Sequence, residues 1–169
     1  TGLTGTKTVT FAGPGAINVT TTGISDGTAT AVDAVITGGN INLATANTYS
    51  GGTIVNGGTL RVNNTTNSGT GSGAVAVNSG ATLGGAGIIG GGVAINAGGK
   101  IAPGNSVGTL SLSAGLTVGS NATYNWEHTA GNAVGTAGTS FDSLNVTGGT
   151  VTIDGTAAKN VAPSSIVMS

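Results

Sequence analysis

Charged residues are scarce in this chain of 169 residues, which contains four Lys or Arg, five Asp or Glu and one His. Lys, Arg, Asp and Glu together make up 5% of the sequence, whereas they make up about 25% of ordinary globular proteins. The formal net charge is −1 and the cations are scattered, so the chain lacks a basic patch that could neutralise a phosphate backbone. We therefore expect no nucleic acid partner.

Cysteine is absent, which excludes a disulfide framework and a thiol redox centre. Aromatic residues make up only 3% of the chain. No apolar run approaches the roughly 18 residues that cross a bilayer as a helix, so we expect no membrane insertion of this segment. Glycine is abundant instead, with 34 residues, and this density disfavours long helices. Low charge without cysteine is typical of secreted bacterial surface repeats and favours an extracellular location.

One pattern recurs six times: an alternating strand, a turn of Asn, Thr or Gly with small residues, and a second alternating strand. The copies are AVITGGNINL (34–43), TIVNGGTLRV (53–62), VAVNSGATL (75–83), VAINAGGKI (93–101), LTVGSNATYNW (116–126) and LNVTGGTVTI (144–153). Their turn residues recur at intervals of 18 to 28 residues and are Thr37, Asn56, Asn78, Asn96, Gly119 and Thr147. Strands and tight turns at this period indicate a β-solenoid, whose coils stack about 4.8 Å apart.

The period predicts an all-β, single β-solenoid domain over residues 1–169, with about seven to eight coils of roughly 18–28 residues. Residues 1–44 are expected to form less regular N-terminal coils, 45–153 the clear repeat region and 154–169 a C-terminal coil or linker. Within the repeat, apolar residues such as Val75 and Val93 should point inward and stack between coils. An antiparallel meander is the alternative, because Asn-Gly between alternating runs is also a hairpin signal.

Residues 45–153 also carry an ordered succession of motifs. NTYSGGTIVNGGTLRV (47–62) is followed by GSGAVAVNSGATLGGAGIIGGGVAINAGGKIAPGNSVGTLSLSAGLTVGSNATYNWE (71–127) and then by FDSLNVTGGTVTI (141–153). This succession resembles the autotransporter-associated β-strand repeat. The resemblance implies a right-handed, single-stranded parallel β-helix from a large bacterial secreted or cell-surface protein.

A glycine motif, GAGIIG at 85–90, fits the G-x-G-x-x-G spacing of dinucleotide-binding loops. That site needs a helix at the third glycine and an acidic residue about 20 positions later. The sequence continues instead as a short strand and turn, with no Asp or Glu between Asp33 and Glu127. We therefore predict no cofactor and no cofactor-binding residue, and interpret these glycines as corners between stacked strands.

Catalytic residue types occur together only near His128, which adjoins Glu127 and precedes Asp142 and Ser143. A Ser, His and Asp triad uses these residue types. However, Glu127 and Asp142 belong to the strand-loop-strand pattern of the repeat, and His128 opens an insertion rich in Gly, Ala and Thr. We therefore predict no catalytic residue and no enzymatic activity; a polysaccharide-active enzyme is the least favoured alternative.

The acidic residues are too dispersed along the chain for a metal site. Asp26 and Asp33 can approach each other in a loop, but a solvated turn is the favoured interpretation. The segment GGAGII at 84–89 lacks the Asp found in calcium-binding solenoid repeats. We therefore predict no metal site.

These observations favour a non-enzymatic structural segment that self-assembles into extracellular filaments or a surface layer by coil-on-coil stacking. Its partners are expected to be other copies, because strand edges without a capping helix can pair with another chain. The alternative is an adhesive passenger stem that binds a surface glycan or host ligand through side loops such as 63–73 or 129–140. Tyr124 and Trp126 are expected to stack along a coil.

The corner interpretation of GAGIIG yields a test at Gly87. We expect Gly87→Val to lower the thermal unfolding midpoint, because a β-branched side chain disfavours the tight backbone of a corner. Circular dichroism melting measures this effect. Measurable binding of NAD by the purified wild-type protein would contradict the interpretation.

Overall fold

A computed structural model describes residues 4–129 and 135–154 of the chain. These residues form strands and connecting turns without a helix, and so contain no helix that could cross a membrane. The strands are β1 (Thr6–Phe11), β2 (Ala16–Val19), β3 (Ala31–Ile36), β4 (Asn40–Leu43), β5 (Thr53–Val55), β6 (Thr59–Val62), β7 (Val75–Val77), β8 (Thr82–Gly85), β9 (Ile88–Ile89), β10 (Val93–Ile95), β11 (Lys100–Pro103), β12 (Thr109–Leu112), β13 (Leu116–Val118), β14 (Thr123–Tyr124), β15 (Ser143–Val146) and β16 (Val151–Ile153). The predicted all-β class is confirmed.

The strands are distributed over three parallel sheets. A seven-stranded sheet has the order β1-β3-β5-β7-β10-β13-β16, a six-stranded sheet the order β14-β11-β8-β6-β4-β2, and a three-stranded sheet the order β15-β12-β9. From β7 onward the chain visits the seven-stranded, six-stranded and three-stranded sheets in turn and then returns to the first. Because every pairing between these strands is parallel, the antiparallel meander is excluded. Stacked parallel strands of this kind are the arrangement of a β-solenoid.

The core consists of apolar columns that run through the stack. Alternate residues of a strand face opposite sides of its sheet, and the register places Val, Ile and Leu of successive strands on one another. In the seven-stranded sheet one such column contains Phe11, Ile36, Val55, Val77, Ile95, Val118 and Ile153. The predicted inward residues Val75 and Val93 are buried, so the predicted pattern of alternation is confirmed.

The GAGIIG segment forms the corner between the six-stranded and three-stranded sheets. β8 ends at Gly85, which has a φ of 101°, and β9 follows at Ile88–Ile89 with Ile89 in the core. A Cβ atom on Gly87 would lie 2.5 Å from Asn64 Oδ1 and 2.8 Å from the carbonyl oxygen of Val62. The backbone of the preceding coil thus leaves no room for a side chain at Gly87.

The last predicted repeat copy is a different corner from the other five. Thr147 follows β15, which pairs with β12 in the three-stranded sheet, and its N–H donates to the carbonyl oxygen of Leu112. Val118 pairs with Ile153, so the position equivalent to Gly119 is Asp154 and the assignment of Thr147 was wrong. Both kinds of corner join two short strands through a residue with positive φ, which is Asn121 between β13 and β14 and a glycine at the others, and their sequences therefore look alike.

Two isoleucines of the seven-stranded sheet test the core assignment. Ile95 points inward and is 1% exposed, whereas Ile54 points outward and is 38% exposed. We expect Ile95→Ala to lower the free energy of unfolding by about 2–5 kcal/mol, since it leaves a cavity in a packed column. The control Ile54→Ala should cost less than about 1 kcal/mol. Urea unfolding measures both, and equal losses would contradict the inward column.

Candidate functional site

A small polar cleft lies where the six-stranded sheet ends and the three-stranded sheet begins. Its volume is about 110 Å³, well below the roughly 300–1,000 Å³ of small-molecule sites. Arg61 Nη1 lies at the cleft wall and donates to Asn105 Oδ1 at 3.3 Å and to the carbonyl oxygen of Gly104 at 3.5 Å. The lining residues are Arg61, Ala102, Pro103, Gly104, Asn105, Ser106, Asn125, Glu127 and Asp142.

Asp142 is the most constrained acidic residue of this cleft. It is 3% exposed, and its carboxylate accepts the N–H of Gly108 at 3.0 Å and the N–H of Glu127 at 2.9 Å. Burial raises the pKa of the Asp142 carboxyl and the Glu127 carboxylate raises it further, while the two N–H donors act in the opposite direction. Asp142 therefore ties two loops together through both of its oxygens.

His128, Asp142 and Ser143 lie in this region, but they lack the hydrogen bonds of a Ser-His-Asp triad. The backbone of Asp142 donates to the carbonyl oxygen of Glu127, and the ring of His128 lies 5.5 Å from that of Trp126. The ring nitrogen Nδ1 of His128 is 3.0 Å from the carbonyl oxygen of Thr129. Within the described residues His128 forms no hydrogen bond with Asp142 or Ser143, so the serine is not coupled to a base.

Asp26 and Asp33 both bind backbone N–H groups of the next coil. Asp26 Oδ1 accepts from Val32 at 2.7 Å and from Ser50 at 3.0 Å, and Asp33 Oδ1 accepts from Gly52 at 2.8 Å. Hydrogen bonds from the side chain and backbone of Ser50 hold the pKa of the Asp26 carboxyl below its usual value. These carboxylates serve as acceptors for a turn, and the described residues hold no group of three His, Asp or Glu positioned for a metal ion.

The N–H groups of the GAGIIG corner are occupied by neighbouring coils. Gly85 donates to the carbonyl oxygen of Gly104, Gly87 to that of Val62 and Gly90 to Ser68 Oγ, at distances of 2.8 to 3.1 Å. A phosphate loop needs such N–H groups free and converging on the ligand. Here the coil-to-coil hydrogen bonds use them.

Asparagine side chains form a ladder along the corner between the seven-stranded and six-stranded sheets. Asn78 Nδ2 donates to Asn56 Oδ1 at 2.7 Å, and Asn96 Nδ2 donates to Asn78 Oδ1 at 2.6 Å. These are three of the turn residues that mark the repeat in the sequence. The spacing located them, and the structure shows that their amides hydrogen-bond one another across coils.

A second set of asparagine side chains lies near the carboxyl ends of the strands of the six-stranded sheet. Asn42 Nδ2 donates to Asn18 Oδ1 at 3.1 Å, and Asn63 Nδ2 donates to Asn42 Oδ1 at 2.8 Å. Asn63 and Asn105 also exchange hydrogen bonds of 3.2 and 2.8 Å, although they lie 42 residues apart. Sequence reasoning missed this set; the intervals of 24 and 21 residues between its first three members match the repeat and were the available signal.

Two further asparagines and one tyrosine form hydrogen bonds with polar groups inside the stack. Asn47 accepts from the N–H of Ile24 and donates to the carbonyl oxygen of Gly69, and Asn64 accepts from Ile88. The hydroxyl of the fully buried Tyr49 lies 2.6 Å from Thr53 Oγ1, and burial raises the pKa of Tyr49 to about 12. No buried side-chain nitrogen or oxygen of the described residues lacks a partner.

The exposed aromatic surface is small. Tyr124 pairs in register with Ile101 and packs against the core, and burial raises its pKa to about 12, with a smaller contribution from the Asp142 charge. Trp126 donates its indole N–H to the carbonyl oxygen of Asp142 and stacks near Phe141, with ring centroids 6.0 Å apart. Tyr124 therefore stacks along a coil as predicted, whereas Trp126 packs against the residues that follow the insertion.

The structure describes the two candidate side loops to different extents. Within 63–73, Asn64 and Thr70 are buried, and the exposed positions are 65–67 and Ser72. Most of this segment is thus part of the stack. In the 129–140 segment, the N–H and hydroxyl of Thr129 both donate to the carbonyl oxygen of Ser140, while residues 130–134 lie outside the described residues.

The predicted C-terminal coil or linker at 154–169 lies outside the described residues from residue 155 onward.

Comparison with known proteins gives no match: no family model, no curated protein and no solved structure is similar to this chain.

The role of Asp142 can be tested by substitution. We expect Asp142→Ala to lower the free energy of unfolding by about 2–4 kcal/mol, because the N–H groups of Gly108 and Glu127 lose their acceptor. Asp142→Asn should also destabilise, since its amide nitrogen would face one of these donors.

Glu127→Gln is the matched control, because the exposed Glu127 side chain forms no hydrogen bond among the described residues, and we expect a change within about 0.5 kcal/mol. Denaturant unfolding at pH 7 compares the three variants. A more stable Asp142→Asn protein would show that relief of buried charge outweighs the two hydrogen bonds.

Proposed function

We propose that this chain is a non-enzymatic structural segment of a bacterial secreted or cell-surface protein, of the autotransporter-associated repeat type. In this proposal it forms a right-handed, single-stranded β-helix with about seven to eight coils and assembles end to end with other copies outside the cell. The parallel stack of strands supports the proposal, and so does the use of the acidic residues as acceptors for turns.

One observation carries the assembly proposal: within the described residues the apolar core columns reach β16, and the side chains that continue them there are exposed. Val151 and Ile153 occupy inward register positions on Leu116 and Val118, yet they are 41% and 50% exposed. β16 is an edge strand of the seven-stranded sheet within the described residues. An edge strand with exposed apolar side chains is a template for pairing with another strand.

The strand at the other edge of the same sheet fits this template. β1 carries Val9 and Phe11 at inward positions, and Phe11 belongs to the same column as Ile153. A second copy that continues the register would place its Phe11 on Ile153 and its Val9 on Val151. The formal net charge of −1 per chain gives little repulsion between copies.

A pair of lysine substitutions tests this proposal. We expect wild-type protein to form particles whose length increases with concentration, and Ile153→Lys to remain monomeric, because assembly would bury an unpaired charge. Ile54→Lys is the matched control, since Ile54 lies on the outer face of the same sheet, and it should assemble like wild type. Sedimentation velocity and negative-stain electron microscopy measure the assemblies.

Monodisperse wild-type monomers over a wide concentration range would sink the assembly proposal. Assembly that survives Ile153→Lys but fails in Ile54→Lys would instead indicate lateral contact through the outer face. Circular dichroism of each variant confirms that the monomer remains folded.

A further inference from the structure

Asn56 is followed by Gly57 in the only Asn-Gly dipeptide of the chain. The pair occupies the corner between β5 and β6, where Asn56 is exposed to solvent. Asparagine is a thermally labile residue, and its lability is greatest where a following glycine leaves the next backbone nitrogen unhindered. The corner therefore combines a reactive dipeptide with access to water.

The asparagine ladder leaves the amide nitrogen of Asn56 unused. Asn56 Oδ1 accepts from Asn78 Nδ2 at 2.7 Å, whereas Asn56 Nδ2 donates to no acceptor among the described residues. Asn78, in contrast, uses its nitrogen toward Asn56 and its oxygen toward Asn96. Among Asn56, Asn78 and Asn96, Asn56 is therefore the residue at the end of the ladder whose side-chain nitrogen has no acceptor in the preceding coil.

The fold also disfavours a larger residue in place of the glycine that makes this asparagine reactive. A Cβ atom on Gly57 would lie 3.0 Å from the carbonyl oxygen of Thr37, a close approach to backbone of the preceding coil. The N–H of Gly57 forms no hydrogen bond within the described part of the chain. The backbone nitrogen of Gly57 is therefore free of hydrogen bonds within the described residues.

We propose that Asn56 is a site of spontaneous deamidation in the folded protein. The backbone nitrogen of Gly57 loses its proton and attacks Asn56 Cγ, the amide nitrogen leaves as ammonia, and a cyclic succinimide forms. Water then opens either carbonyl of the ring and yields aspartate or isoaspartate at position 56. The hydrogen bond from Asn78 Nδ2 to Asn56 Oδ1 stabilises the oxyanion that develops during the attack.

The two products have different consequences for the stack. Aspartate keeps the oxygen that accepts from Asn78, and its charge strengthens that hydrogen bond, so the ladder remains intact. Isoaspartate inserts a methylene into the backbone between β5 and β6 and disturbs the register of the corner. Either product changes the formal net charge from the −1 of the unmodified chain by one negative unit, on a surface that is almost neutral.

Peptide mapping by mass spectrometry tests the site during incubation of the folded protein at neutral to mildly alkaline pH. We expect modification at Asn56 to exceed that at Asn78 and Asn96, the other rungs, by at least about tenfold, which corresponds to about 1.4 kcal/mol in the barrier. The same incubation in denaturant is the reference, because it removes the ladder. The ratio of Asn78 to Asn56 modification should rise there.

Asn56→Gln is the control variant, and it should abolish both the new acidic species on ion exchange and the modified peptide. An unmodified Asn56 in the folded protein, with modification in denaturant, would overturn the proposal by showing that the corner protects the residue. Equal rates at Asn56 and Asn78 in the folded protein would overturn the role of the ladder. Neither outcome depends on whether the chain forms filaments.

Discussion

Parallel, in-register pairing between coils is the constraint on which the rest of the structure depends. Each residue of a strand lies directly over its counterpart in the next coil, about 4.8 Å away, so like side chains stack on like. For apolar residues this stacking builds the core, as in the column that contains Val77 and Ile95. For amides it builds ladders, because asparagine can donate to one neighbour and accept from the other.

The same constraint explains why the chain has so little charge and so much glycine. A stacked column of lysines or carboxylates would repel over the short coil spacing, whereas neutral Asn, Thr and Ser pay no such penalty. At some corner positions the backbones of successive coils approach so closely that a side chain does not fit, as the contacts of Gly87 and Gly58 show. The short distance between coils therefore accounts for both the low charge and the high glycine content of the chain.

Four charged side chains of the described residues connect segments of the stack through hydrogen bonds. Asp26 and Asp33 accept backbone N–H groups from the segment that follows β4, and Asp142 holds two loops beside the three-stranded sheet. Arg61 donates to a carbonyl oxygen and an amide oxygen in the same cleft as Asp142. These carboxylates therefore act as hydrogen-bond acceptors for backbone N–H groups.

The sequence by itself determined the all-β class, the inward residues such as Val75 and Val93, and the recurring turn residues Asn56, Asn78 and Asn96, because alternation and period are local properties that stacking repeats. Only the tertiary structure decided that Thr147 belongs to another corner and that Asn63 meets Asn105 across 42 residues. Short strands joined by glycine corners look alike in every sheet, so the local pattern cannot identify the sheet to which a strand belongs. That assignment depends on hydrogen bonds between coils, which no local sequence window contains.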